Sequence, residues 1–231
     1  MPSFSYGDRG IKDFYRRVWL SFGGPADEYP GSARVLQTIK GIFLGGEWWR
    51  VFDILETALS MQNVMGFPEA FAINSINKAL TGSAYVLQNG EFAERLPIEQ
   101  TASIDTALSG PFSSARTHFA NAYRALNRRP ECDAGEVIRE SIHGVEATCR
   151  ELCGDQNADL GRALAKLDKQ YQFHPVLRQA IEKLYGWTGD ASGVRHAEKE
   201  APKGKPGKAE AELALVTCSA IANYLIAASI E

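Results

Sequence analysis

Residues 135–153 read GEVIRESIHGVEATCRELC, and their periodicity decides the fold class. Apolar side chains recur at alternating steps of four and three residues, which places them on one face of an α-helix. They are Ile138, Ile142, Val145, Cys149 and Leu152. The opposite face is charged, and Gly154 stands where a helix C-terminus is commonly capped. The stretch therefore predicts an amphipathic helix that buries one face in a helical bundle.

Similar patterns extend outward from this helix in both directions. Helical spacing of apolar residues covers 9–23, 47–61, 68–80, 97–130, 160–167, 174–185 and 209–229, and a short helix is expected from Ser32. Gly110-Pro111 interrupts one of these patterns, so we expect there either a kink or a new helix with Ser109 as its N-cap. Residues 188–207 contain many glycines, prolines and lysines and predict a polar loop.

Residues 83–96 break the helical pattern and predict a small β-hairpin. The apolar residues 85–87 and Phe92 flank Asn89-Gly90, a dipeptide that suits a two-residue type I′ turn. A two-stranded hairpin is marginal in water by itself, so we expect it to pack on helices.

The expected fold is predominantly all-α with two parts. Residues 1–96 form an N-terminal helical part that ends in the hairpin, and residues 97–231 form a helical bundle. The alternative is that the two parts share one continuous core.

Composition limits the function classes. The chain has 231 residues, of which 45% are hydrophobic and 23% charged, which is typical of globular proteins and unlike disordered chains or fibres. The net charge of −3 and the pI of about 5.9 argue against a strongly basic surface for nucleic acids. Four cysteines are too few for a disulfide scaffold, so reduced thiols in the cytoplasm are expected. The opening MPSFSYGDRG lacks the apolar segment of a secretory signal.

The last helix has two interpretations. Leu213–Ile230 contains 18 residues without a charge, the minimum length for a membrane span. Thr217, Ser219, Asn223 and the many alanines suit the close-packed centre of a bundle better than lipid, so we expect no membrane. A tail-anchored protein is the weaker alternative.

Three groups of residues have side chains that can carry chemistry. Arg139, His143, Glu146 and Arg150 form one stripe, which is either a site or a solvated, salt-bridged face. Glu140 and Ser141 lie at the edge of this stripe, where a buried carboxylate would need a cationic partner.

The second group is Arg195-His196. The arginine can bind a phosphate through its paired N–H donors and the histidine can act as an acid or base; the alternative is a structural pair that ties a loop to the bundle. The third group is Cys149 with Cys153. Together with His143 they could bind a metal, but the simpler interpretation is that they are small buried thiols. No nucleotide-binding loop or zinc-protease motif occurs, so we expect no cofactor and no metal.

Taken together, several stretches resemble the AbiJ-associated group of HEPN-superfamily domains from bacterial abortive-infection systems. The matching stretches are GEWWRVFDILE (46–56), the hairpin with Leu96-Pro97-Ile98 after it, VIRESIHGVE (137–146), LYGWT (184–188), GVRH (193–196) and LVTCSAIANYL (215–225). The resemblance implies a HEPN-like helical bundle, a role in phage defence or RNA cleavage, and a homodimer.

The resemblance leads to a first functional hypothesis, a metal-independent endoribonuclease. His196 would be the acid or base, Arg195 would hold the scissile phosphate, and Glu140 would orient Arg195, with Ser141 and Asn223 in support. The three catalytic candidates should then converge in space.

The spacing within the motif leaves a second hypothesis open. HEPN ribonucleases generally have four to six residues between the arginine and the histidine. Here Arg195 and His196 are adjacent, and three residues separate Arg139 from His143. The alternative is therefore a non-catalytic interaction or regulatory module that binds RNA or a protein partner of a defence system.

Overall fold

A computed structural model of the chain describes residues 5–61, 69–88, 90–191 and 206–230. The described helices, numbered here in chain order, are α1 (Ser5–Ser21), α2 (Ser32–Gly45), α3 (Trp48–Ser60), α4 (Glu69–Ala79), α5 (Ile98–Leu108), α6 (Ser113–Leu126), α7 (Ala134–Cys153), α8 (Leu160–Tyr171), α9 (Pro175–Ala191) and α10 (Lys208–Ala228). A single 3-10 turn (Ala26–Glu28) and two strands, β1 (Tyr85–Gln88) and β2 (Glu91–Glu94), complete the described elements. The predicted all-α class with one small hairpin is confirmed.

The chain divides into two compact units, Met1–Arg95 and Leu96–Glu231. In the first unit, α1, α2 and α3 pack around Val18, Val35 and Ile54, which are almost completely buried. Aromatic side chains surround this core, because Phe14 and Val18 of α1 and Phe22, the residue after α1, recur at helical spacing.

The hairpin pairs β1 and β2 in antiparallel register, with Leu87 opposite Phe92. Gly90 has a φ of +83°, the left-handed conformation that the turn requires and that glycine adopts without strain. Helices hold the hairpin through side chains. The amide of Asn77 accepts from the Leu87 N–H at 2.8 Å and donates to the Leu87 carbonyl at 2.9 Å, and a Glu56 oxygen accepts from the Phe92 N–H at 2.6 Å.

Helix α7 is the central helix of the second unit, where α6, α8, α9 and α10 all pack against it. Its predicted apolar face is buried, with Ile138, Val145 and Cys149 at 0% exposure. The Asp133 carboxylate caps the N-terminus by accepting from the Glu136 N–H, and Gly154 caps the C-terminus in the left-handed conformation.

Three details of the sequence-based prediction are wrong. The pattern over 97–130 splits into two helices, α5 and α6, which matches one of the two predicted alternatives, but the predicted N-cap is wrong. Ser109 caps the end of α5, and Phe112 is the N-cap of α6. The Ser109 hydroxyl donates to the Asp105 carbonyl, which is a bond to the preceding helix. Residues 188–191, predicted as loop, continue α9. Glu146, predicted on the polar face of α7, is buried at 9% exposure beside Arg150.

Helix α10 is, within the described ranges, the one helix that is long and apolar enough to cross a membrane by length and composition. It packs mainly against α5 and α7. The side chains that it buries there are mostly small: Ala211, Ala214, Leu215, Cys218, Ser219, Ala222 and Leu225. Small side chains let helix backbones approach closely, which explains the alanine content noted in the sequence.

Candidate functional site

The predicted site residues fall into two groups. Arg195 and His196 lie outside the described residues. The segment that carries them joins α9 to α10, and both of these helices pack on α7, the helix that carries Glu140. The convergence of Arg195, His196 and Glu140 stays a prediction.

Glu140 lies at the seam between α6 and α7, with its side chain only 15% exposed. One of its oxygens, Oε2, lies 2.9 Å from His118 Nδ1 and accepts from Asn121 Nδ2 at 3.3 Å. Arg124 donates to Asn121 Oδ1 at 3.1 Å, so the side-chain amide of Asn121 presents its N–H group to the carboxylate. The imidazole and the amide that contact this carboxylate oxygen therefore both come from α6.

His143 approaches the other carboxylate oxygen from the next turn of α7. Its Nδ1 lies 3.9 Å from Glu140 Oε1, and the two residues are three positions apart, so both side chains share a helix face. The His118 and His143 rings meet edge to face with centroids 5.4 Å apart. We call His118, Glu140 and His143 the His–Glu–His cluster.

A glycine brings the two helices close enough to form this cluster. A methyl group on Gly144 would lie 2.7 Å from the ring of Phe119, which is 1% exposed. Phe119 follows His118 and Gly144 follows His143. The contact between ring and backbone therefore sets the separation of the two histidines.

The cluster holds its carboxylate in the charged form. Burial alone would raise the pKa of Glu140, but the hydrogen bonds from His118 and Asn121, with the charges of both histidines, lower it overall. Half-exposed imidazoles beside an ionised carboxylate are suited to proton transfer, since the carboxylate fixes the ring tautomer. The same three groups are also metal ligands.

The side chains of Ser141 and Asn223 both donate hydrogen bonds to backbone carbonyls. Ser141 is fully buried, and its hydroxyl donates to the Val137 carbonyl one turn earlier at 2.7 Å. Asn223 Nδ2 donates to the Ser103 carbonyl at 2.9 Å and so ties α10 to α5. These contacts belong to helix packing, and the supporting roles proposed for both residues stay predictions.

Cys149 matches the simpler of the two interpretations, a small buried thiol, whereas Cys153 is half-buried. All four are free thiols, and Cys149 is completely buried. Burial raises the pKa of Cys149 to about 12 and that of Cys218 to about 12, which makes both thiols unreactive in the folded protein.

Sequence reasoning missed His118 and Asn121. Both lie on α6 beside buried residues such as Phe119 and Ala122, and they are three positions apart, the spacing of one helix face. A histidine and an asparagine next to the buried face of a helix indicate a polar partner on a neighbouring helix. The sequence does not identify that helix.

Comparison with protein-family models, with curated proteins and with solved structures gives no match for this chain.

Proposed function

We propose that the chain is a HEPN-like protein of a bacterial defence system of the abortive-infection type, and that its second unit is a metal-independent endoribonuclease. The observation that carries this proposal is Glu140, a partly buried carboxylate with a lowered pKa, which lies between His118 and His143 on the central helix of an α-helical bundle. The sequence resemblance adds the choice of RNA as substrate. The proposed setting is the cytoplasm, with the chain acting as a homodimer.

The reaction that these groups can support is internal transesterification of RNA. A base removes the proton of a ribose 2′-hydroxyl, and the oxygen attacks the adjacent phosphorus. The P–O5′ bond breaks, the leaving 5′-oxygen takes a proton from an acid, and a 2′,3′-cyclic phosphate remains. His196 is the proposed acid or base, and Arg195 would stabilise the charge that develops on the phosphate.

Glu140 is a positioning residue in this scheme. Its hydrogen bond fixes His118, and it is the proposed partner that orients Arg195. His118 and His143 provide two more imidazoles on the described side of the site, so the chain can supply a separate acid and base.

Expression in bacteria tests the proposal. We expect the wild-type chain to arrest growth and to fragment total RNA, and we expect Arg195→Ala and His196→Ala to abolish both effects. His174→Ala is the matched control, because His174 is an exposed histidine at the start of α9. Cleavage by purified protein in EDTA, with cyclic-phosphate ends, should accompany growth arrest.

A second candidate function is a non-catalytic interaction module. Apolar side chains on α9 and α10 favour it, because Val176, Leu213 and Tyr224 are 64%, 58% and 41% exposed. A protein that leaves RNA intact in cells and in vitro, even during phage infection, would support this candidate over the ribonuclease.

A further inference from the structure

The His–Glu–His cluster has the spacing of a metal site. Its candidate ligand atoms, one from each side chain, all lie within 4.8 Å of one another. Around an ion with bonds of about 2.1 Å, neighbouring ligand atoms are about 3.0–3.4 Å apart. Glu140 Oε2 lies 2.9 Å from His118 Nδ1, just below this range, and Glu140 Oε1 lies 3.9 Å from His143 Nδ1, just above it.

The positions of the three residues on two packed helices already direct their side chains toward one point. Glu140 and His143 form a Glu-x-x-His pair on one helix, an arrangement that helical bundles use to direct a carboxylate and an imidazole at one ion. His118 adds a ligand from the neighbouring helix. The side chains of His118 and His143 are 32% and 41% exposed, so solvent and ions reach them.

An outer layer of hydrogen bonds supports the carboxylate. Asn121 donates to Glu140 Oε2, and Arg124 fixes the orientation of the Asn121 amide. Partners of this kind hold metal ligands in place in known sites and contribute to their affinity.

The donor set selects the class of ion. Two imidazoles and one carboxylate favour first-row transition metals such as zinc or ferrous iron over magnesium and calcium, which prefer oxygen ligands. We propose that His118, Glu140 and His143 bind one divalent transition-metal ion, with at least one coordination position open to water. The ion would replace the direct contact between His118 Nδ1 and Glu140 Oε2.

This site has a consequence for activity that rests on the function proposed above. An imidazole nitrogen that binds a metal carries no proton, and a carboxylate that binds a metal is less able to orient Arg195. Zinc should therefore inhibit RNA cleavage, whereas metal binding itself does not depend on whether the protein is a ribonuclease.

The test is direct binding of Zn²⁺ and Co²⁺ to the full-length chain without a polyhistidine tag. Calorimetry should give one zinc per chain, and cobalt should give visible d–d bands without a thiolate charge-transfer band. His118→Ala, His143→Ala and Glu140→Gln should each weaken zinc binding at least about 10-fold. His174→Ala should leave it unchanged, and circular dichroism checks that every variant is folded.

Two results would overturn the site. One is wild-type protein that takes up no zinc at about 1 mM, and the other is binding that survives in both histidine variants. His118→Gln keeps a polar partner for Glu140, so it replaces His118→Ala if the alanine variant unfolds. Because no step of this experiment uses RNA, its failure leaves the ribonuclease proposal standing.

Discussion

Replacing Gly144 with alanine tests whether the close approach of α6 and α7 holds the second unit together. The added methyl carbon would lie 2.7, 2.8 and 2.9 Å from three ring atoms of Phe119. Carbon atoms in ordinary contact are about 3.5–4.0 Å apart, so the ring or the helix must move by about 0.8 Å or more. Phe119 is 1% exposed and has little room to do so. Overpacking of this kind costs about 1–3 kcal/mol.

The higher helix propensity of alanine opposes this overpacking cost, so a control variant must measure it separately. Alanine in place of glycine within a helix is favourable by about 0.5–1 kcal/mol. Gly186 of α9 is the matched control, because no described atom outside its chain neighbours and its own helix backbone lies within 4 Å of the position that its methyl group would take. Gly186→Ala should therefore stabilise the protein by about 0.5–1 kcal/mol. The difference between the two variants isolates the overpacking cost, about 1–3 kcal/mol.

Thiol labelling in urea measures the stability of the second unit alone, because all four cysteines of the chain lie within it. Cys149 and Cys218 are completely buried and become reactive only when this unit opens. We expect the urea midpoint of their labelling to be lower in Gly144→Ala than in the wild type or in Gly186→Ala. If both alanine variants are equally stabilised, the contact between Gly144 and Phe119 does not constrain the bundle.

Three further outcomes are expected. Asn77→Ala should destabilise the first unit by about 1–3 kcal/mol in urea unfolding, because it leaves the buried Leu87 N–H and carbonyl without their amide partner. Asn74→Ala, an exposed change on the same helix, should be near neutral. Because the pKa of Glu140 is lowered in the folded protein, the stability that it contributes is fully present above the ordinary glutamate pKa, near 4.5, and is lost as the pH falls through the folded value. The stability difference between wild type and Glu140→Gln should therefore shrink between about pH 6 and pH 3, and a constant difference would contradict the assigned shift. In native protein at about pH 8, a thiol reagent should modify at most the two partly exposed cysteines and spare the two buried ones, as counted by mass spectrometry.

Sequence periodicity predicted the central helix and the hairpin because both depend on local rules. The apolar spacing of α7 and its Gly154 cap are properties of one segment, as is the Asn89-Gly90 turn signal. The helix boundaries near residue 110 were harder to predict, because the Ser109 hydroxyl donates to the Asp105 carbonyl of the preceding helix and is not used to cap the next one.

The candidate site depends on contacts that periodicity does not encode. Glu140 was recognisable as a carboxylate in need of a partner, yet that partner lies 22 positions earlier on another helix. The pairing of His118 with Glu140 follows from the register between α6 and α7, which the Phe119 ring and the missing side chain of Gly144 determine.

The hydrogen bonds around the hairpin have a consequence for how the protein behaves at high concentration. An unpaired strand edge is a template on which another chain can add a strand. Along β1, the outward backbone groups of Tyr85 bond to the Ser83 hydroxyl, and those of Leu87 bond to the Asn77 amide. On β2, Glu56 occupies the outward N–H of Phe92. Side chains therefore take the place that neighbouring strands would fill, and this two-stranded sheet is closed to growth by strand addition at these positions.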